Sequence, residues 1–104
     1  MDVETGDAIQ VKSISVDGTG NGGPTSFGPN TFDRLIVAHF RLDEDRAYFY
    51  NVDAHDYKNW KVNNNETIGD QQAQGKRPRL LLLPIIHEEN IEPFAIYDFR
   101  KGLL

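Results

Sequence analysis

Polar and apolar residues alternate along residues 8–16 as they do in a half-buried β-strand. Apolar side chains stand at positions 9 and 11, so Gln10 and Lys12 lie together on the other face of the strand. After Lys12 the apolar positions move to 14 and 16. Such a change of phase predicts a β-bulge, and bulges often reorient side chains beside active sites. The segment is therefore either a catalytic element or an ordinary amphipathic strand with a polar outer side.

The middle of the chain is predicted to form a hairpin followed by a short helix. Residues 32–42 contain a continuous apolar run, which is typical of a strand covered on both faces. The acidic residues at 43–45 mark a turn, and the aromatic-rich segment 47–52 returns as a second strand. Asp53 has the chemistry of a helix N-cap, so we expect a helix from position 54 to about 61.

The C-terminal part is predicted to form a second hairpin. Residues 79–86 are the most hydrophobic stretch, and their length suits a buried strand. Pro84 removes a donor from the strand ladder, which favours an edge position or a bulge. Residues 87–90 then form a turn, and residues 91–99 return beside the first strand.

Two segments are predicted to be loops. Residues 17–31 are rich in glycine and proline and can form neither a helix nor a central strand. Residues 63–78 are polar and form a second loop. We expect a single domain over residues 1–104, of the α+β class, with a mixed, mostly antiparallel sheet built from hairpins and one or two short helices.

Composition narrows the class of protein. The chain has no cysteine, which excludes a disulfide framework and a thiolate nucleophile. Eleven Lys and Arg against sixteen Asp and Glu give a net charge of −5, which argues against a general basic surface for nucleic acid. There is no apolar run of membrane-spanning length and no signal-peptide pattern at the N-terminus, so we expect a cytoplasmic protein that does not contact membranes.

One compact basic cluster interrupts this acidic background. It consists of Lys76, Arg77 and Arg79. The cluster is either an ordinary solvated loop or an edge that contacts phosphates.

The order of Asp2, a short turn and Gln10-x-Lys12 resembles the restriction-endonuclease-like superfamily known as PD-(D/E)XK. In that family an acid on one strand of a hairpin precedes a strand that carries Glu or Gln two residues before Lys. The segments Phe-Asp-Arg-Leu-Ile-Val from position 32 and Tyr-Asn-Val-Asp-Ala-His-Asp from position 50 follow in the same order as in small nuclease domains. The resemblance covers about residues 1–62. It implies that the chain contains the C-terminal half of the family's core, and that this core is either incomplete or completed by another subunit.

The resemblance implies a metal-dependent nuclease that cleaves phosphodiester bonds in DNA. Asp2, Gln10 and Lys12 would be the catalytic residues. Asp2, the amide oxygen of Gln10 and the carbonyl oxygen of Val11 would bind Mg²⁺ or Mn²⁺, because such cations take carboxylate and carbonyl oxygens. Lys12 would orient or deprotonate the attacking water and stabilise the developing charge.

The resemblance also implies partners. We expect DNA to be contacted by the basic cluster of Lys76, Arg77 and Arg79 and by Ser13, and the fold to be completed in a homodimer or by a second chain. The sequence leaves open a preference for DNA over RNA. A second hypothesis also stays open, in which the chain is not an enzyme. It would be a non-catalytic β-rich module for protein interaction or a subunit interface, and Gln10 and Lys12 would be surface residues.

Overall fold

A computed structural model describes residues 8–16, 20–29 and 31–102. Its elements in chain order are β1 (Ile9–Val16), β2 (Thr25–Ser26), β3 (Arg34–Arg41), β4 (Arg46–Asp53), α1 (Ala54–Lys58), α2 (Ile68–Ala73), β5 (Arg79–Leu80), α3 (Leu82–Glu88), β6 (Ala95–Asp98) and α4 (Phe99–Gly102). The predicted α+β class with a mostly antiparallel sheet is confirmed. This part of the chain forms four short helices, more than the one or two expected.

Within the described residues, the main sheet has four strands in the order β1-β3-β4-β6. β1 runs parallel to β3, whereas the β3–β4 and β4–β6 pairs are antiparallel. β2 and β5 form a separate antiparallel pair, here called the ribbon. The predicted hairpin of β3 and β4 is confirmed, with a tight turn at 43–45 in which Asp45 has a φ of 54°.

The predicted bulge in β1 is wrong, because all eight residues of β1 pair one for one with β3. Side chains alternate along a strand, so Gln10 and Lys12 share a face with Ile14 and Val16. Ile14 and Val16 are buried, and this face is called the inner face of the sheet. The apolar positions change phase because the hydrophobic core begins part-way along β1. Before that point the inner-face residues are Gln10 and Lys12, and after it they are Ile14 and Val16.

One hydrophobic core lies on the inner face. It joins side chains of β1, β3 and β4 to side chains of the loops, ribbon and helices packed on them: Ile14, Val16, Phe27, Phe32, Leu35, Val37, Val52, Tyr57, Trp60, Ile68, Leu80, Leu82 and Ile86. The opposite, outer face of the sheet carries exposed apolar groups, among them Val11, which is 55% exposed.

The predicted second hairpin is wrong. Residues 82–88 form helix α3, and β6 pairs with β4 instead of with this segment. Leu82 and Ile86 are both buried, and their spacing of four residues is that of one helix face. Pro84 stands third in the helix, where its missing N–H has no intrahelical partner to lose. A continuous apolar run does not reveal its period, so length alone favoured a strand.

Helix α1 confirms the prediction from Asp53, whose side chain accepts a hydrogen bond from the amide of Asp56 at 3.0 Å. The helix ends at Lys58, three residues before the predicted end. The expected loop at 63–78 contains helix α2, which is closed by a capping box between Thr67 and Asp70. Within the described ranges no helix is both long and apolar enough to cross a membrane.

Candidate active site

Gln10 and Lys12 lie at the border of the core on the inner face of β1. In the parallel pairing they stand opposite Leu35 and Val37, both fully buried. Both polar side chains are half-buried, and the next inner position, Ile14, is inside the core. The structure therefore brings the predicted amide and ammonium together, with their chain stems against apolar groups and their polar ends at the rim.

The ring of Phe27 forms a wall beside Lys12. The Lys12 Nζ atom lies 5.4 Å from the centroid of this ring, within the range of a cation–π contact. Phe27 is 1% exposed. The segment that sequence analysis assigned to a glycine-rich loop thus places a buried aromatic ring against the predicted catalytic lysine.

Two further rings hold Phe27 in place. Phe32 stacks on Phe27 at 6.1 Å between centroids, and Tyr57 of α1 stacks on Phe32 at 4.3 Å. The Tyr57 hydroxyl donates to the Phe32 carbonyl at 2.7 Å and accepts from the Phe32 amide at 3.1 Å. Burial raises the pKa of the Tyr57 phenol, which keeps the hydroxyl proton available for donation. The three rings form a continuous stack from Lys12 to helix α1.

The ribbon joins the Phe27 segment to the basic cluster. Ser26 pairs with Arg79, and the Phe27 amide donates to the Pro78 carbonyl at 2.8 Å. Gln72 also donates to the carbonyl of Gly28 at 3.0 Å. Arg79 is exposed whereas the next residue, Leu80, is buried, so the inner side of the ribbon meets the core and its outer side carries positive charge.

The three basic side chains are not equivalent. Arg77 and Arg79 are exposed, and the Arg77 guanidinium lies beside Gly28, 3.7 Å from where a Cβ atom would stand. Lys76 forms a 3.5 Å ion pair with Glu66. The described structure therefore offers two exposed guanidinium groups, Arg79 on the ribbon and Arg77 two residues before it, beside the segment that places Phe27 against Lys12.

Asp33 ties the start of β1 to the start of β3. Its carboxylate accepts from the Ala8 amide at 2.8 Å, and its own amide donates to the Ala8 carbonyl at 2.8 Å. Sequence reasoning missed this residue. The signal in the sequence was an acidic residue directly before an apolar strand. Asp33 lies two residues before Leu35, which pairs with Gln10.

Other predicted site residues are placed differently. Asp2, a predicted metal ligand, lies outside the described residues. Ser13 lies on the outer face, opposite to Gln10 and Lys12, because side chains alternate along β1. The carbonyl of Val11 accepts a long bond of 3.4 Å from the Gln10 side-chain amide.

The oxygen donors near Lys12 fit a hard divalent cation in kind. An amide oxygen and a backbone carbonyl, at Gln10 and Val11, are ligand types that Mg²⁺ accepts beside carboxylates. Across residues 8–16, 20–29 and 31–102 no group of three or more acidic or histidine side chains could hold a metal ion. A carboxylate from elsewhere, such as Asp2, would have to complete the ligand set.

A family model described as Bsp6I restriction endonuclease matches residues 1–89 of this chain. The chain belongs to the Bsp6I restriction endonuclease family. It is also 42% identical, over 80 residues, to the Type II restriction enzyme Bsp6I of Bacillus sp. (strain RFL6). That alignment covers 73% of this chain and 46% of the relative, so the chain spans about half the length of the curated relative it matches. No solved structure matches the chain.

The stretch shared with the Bsp6I family contains every element of the candidate site. It runs from before β1 through α3 and includes the Gln10–Lys12 pair, Phe27, the three-ring stack and the ribbon. β6 and α4 lie beyond it. Sequence reasoning missed Phe27 as part of the site, although it is the one aromatic residue of the glycine-rich segment 17–31.

Proposed function

We propose that this chain is a restriction-type endonuclease, or a part of one, and that its active site is a Gln-x-Lys variant of the PD-(D/E)XK type on β1. The observation that carries the proposal is the placement of Gln10 and Lys12 side by side on the inner face, at the rim of the core. The Gln10–Lys12 pair lies within residues 1–89, the region that matches the Bsp6I restriction endonuclease family. The related protein named a Type II restriction enzyme supports hydrolysis of DNA phosphodiester bonds as the reaction.

Lys12 and Gln10 have complementary roles in this proposal. The ammonium of Lys12 binds a non-bridging phosphate oxygen and stabilises the negative charge that grows there during attack. The half-buried position of the side chain strengthens this attraction, since charges interact more strongly away from bulk water. Gln10 contributes an uncharged amide that can orient a water molecule or donate an oxygen ligand.

We propose Mg²⁺ or Mn²⁺ as the cofactor. Gln10, the Val11 carbonyl and the carboxylate of Asp2 would hold the ion. When bound, such an ion neutralises phosphate charge and lowers the pKa of a bound water. Gln10 brings no formal charge, so we expect weaker metal binding than a Glu at this position would give.

DNA is the proposed partner, and its proposed contact surface is the ribbon together with Arg77 just before it. Arg77 and Arg79 present exposed guanidinium groups, which form paired hydrogen bonds with phosphate oxygens. Lys76 is already paired with Glu66 and would contribute less. Ser13, on the outer face, is left out of this surface.

A second candidate function is a non-catalytic interface module, and the outer face favours it. Phe94 is 61% exposed and its ring lies 6.4 Å from that of Phe49 of β4, next to the half-exposed Tyr97 of β6, while Val11 on the opposite edge strand β1 is 55% exposed. Exposed apolar groups of this kind mark interaction surfaces. The same surface would serve a nuclease that works as a homodimer or together with a second chain.

A cleavage assay separates the two functions. The purified chain and its Lys12→Ala variant are each incubated with plasmid DNA, with and without Mg²⁺ or Mn²⁺. Lys61→Ala serves as a control at an exposed lysine. We expect cleavage that needs the metal and is lost only with Lys12→Ala. Equal cleavage by both variants would contradict the assignment of Lys12 to the active site, and no cleavage by the unmodified chain as monomer or dimer would favour the interface module.

A further inference from the structure

We propose that Phe27 is a positioning residue that fixes the ammonium of Lys12 on the inner face. The proposal rests on the proposed function, in which Lys12 is a catalytic residue. The contact that carries it is the 5.4 Å separation between Lys12 Nζ and the centroid of the Phe27 ring. A cation at this distance is attracted by the electron-rich face of the ring.

The ring is fixed and the lysine is not. Phe27 is buried, its amide is bonded to the Pro78 carbonyl, and its ring begins the stack that ends at Tyr57. A lysine side chain has a flexible four-carbon stem, and its ammonium samples many positions unless another group holds it. No carboxylate in the described ranges forms an ion pair with Lys12, so the described group that fixes the ammonium is the Phe27 ring.

The contact bears on the electrostatic role of Lys12. A charge held at a fixed position stabilises a developing charge on a phosphate oxygen without further reorganisation. The Phe27 ring therefore supports Lys12 as a pre-positioned electrostatic stabiliser.

The test weakens the ring's electron density without changing its shape. Phe27 is replaced site-specifically by 4-fluoro- and 3,4,5-trifluorophenylalanine, and the same replacements at Phe32 provide the matched control. Phe32 shares the stack but is not the ring beneath Lys12. Phe27→Leu removes the ring altogether, with a thermal melt to check that the variant folds.

The first readout needs no DNA cleavage. In protein labelled with ¹³C-lysine, the ε-methylene protons of Lys12, assigned with Lys12→Arg, should resonate upfield of those of the other lysines because of the ring current. Fluorination at position 27 should increase the mobility of this methylene in ¹³C relaxation, and fluorination at position 32 should leave it unchanged. Lys12 resonances that coincide with those of exposed lysines, or equal effects at positions 27 and 32, would overturn the proposal.

The second readout is the kinetics of cleavage. Loss of a cation–π contact at a partly desolvated site corresponds to about a 2- to 30-fold change in rate, so Phe27→Leu should lower kcat by that factor with KM little changed. The fluorinated ring should lower kcat in steps at position 27 only. Cleavage that is indifferent to fluorination would overturn the positioning role. Positive relaxation data without any cleavage would support the Lys12–Phe27 contact and contradict the proposed function instead.

Discussion

Tyr57 satisfies both backbone groups of Phe32 with a single hydroxyl, donating to the carbonyl at 2.7 Å and accepting from the amide at 3.1 Å. The two residues are 25 positions apart and their rings stack. Helix α1 is thereby fixed to the segment that leads into β3. The same relationship fixes the far end of the ring stack beside Lys12.

Removal of this hydroxyl should destabilise the protein. Tyr57→Phe leaves a buried amide and a buried carbonyl without their partner, and we expect the free energy of unfolding to fall by about 1–3 kcal/mol. Urea unfolding followed by circular dichroism measures the change. Tyr50→Phe is the control, because the half-buried Tyr50 phenol has no hydrogen-bond partner in the described part of the chain. Equal loss in both variants would contradict the role given to Tyr57.

Gly22 should resist substitution. It has a φ of +73°, and a Cβ atom there would overlap the Cγ2 atom of Ile14. Gly22→Ala therefore combines backbone strain with overpacking of the core, and we expect a loss of about 1–3 kcal/mol in unfolding free energy. Gly20→Ala is the matched control, since no atom lies within 4 Å of the added group. A tolerated Gly22→Ala would mean that residues 20–23 do not pack on β1.

The N-cap of α1 provides a test of local stability. Asp53→Ala removes the acceptor for the Asp56 amide, and we expect a loss of about 0.5–2 kcal/mol. Asp53→Asn keeps a side-chain oxygen in the same place and should retain most of the stability. Thermal unfolding of the three proteins gives the comparison. If alanine and asparagine behaved alike, the capping bond would contribute little.

Stability should depend on pH through His39. Burial, and then the charge of Arg41, lower the pKa of this imidazole below 6.5, whereas Asp43 and Glu44 partly oppose the shift. In the unfolded chain the imidazole takes up a proton near pH 6.5, so the unfolded state binds more protons than the folded state just below that pH. The free energy of unfolding should therefore fall as the pH is lowered through 6.5 toward the folded pKa.

The experiment compares urea unfolding at pH 7.5 and pH 5.5. His39→Gln should reduce the difference between the two pH values, and His55→Gln, a change at an exposed position on α1, should leave it as in the unmodified protein. The charged and titratable groups near His39 include Tyr48, which contacts the ring at 5.9 Å between centroids, and His87 and Tyr50, which line a shared cavity of about 290 Å³. An unchanged pH difference in His39→Gln would contradict the role given to His39.

DNA affinity should depend on the ribbon. Arg79→Ala should weaken binding to all sequences alike and reduce the slope of log K against log salt by about 1, as expected for one lost phosphate contact. Lys76→Ala should have a smaller effect because of the ion pair with Glu66. Arg100→Ala, on α4, is the control. Fluorescence anisotropy at several salt concentrations measures the slopes, and an unchanged slope for Arg79→Ala would exclude the ribbon as the contact surface.

The part of the fold set by local patterns was predictable. Strand alternation put Gln10 and Lys12 on one face, and Asp53 marked the start of a helix. The continuous apolar run before Pro84 has no visible period, so a helix was mistaken for a strand. Helix α2 carried a readable signal in Thr67 and Asp70, three residues apart, which sequence analysis passed over.

The long-range part of the site was not predictable from one sequence. A change of phase in the apolar positions of β1 can come from a bulge or from the edge of the core. The sequence of one strand does not distinguish the two, so a bulge was inferred. The contact between Lys12 and Phe27 depends on how a glycine-rich segment folds back over β1, and no local rule fixes that path. Only the isolated aromatic residue hinted that the segment packs against something.

The parallel pairing of β1 and β3 determines where the connection between the two strands must begin and end. Both strands run in the same direction, so the chain that leaves β1 at Val16 must return along the whole length of the strand to enter β3 at Arg34. Eight residues at about 3.3 Å each make that return about 26 Å long. Phe27 reaches Lys12 during this return. A ring eleven residues beyond the end of β1 thus comes to lie beside a residue four positions before that end.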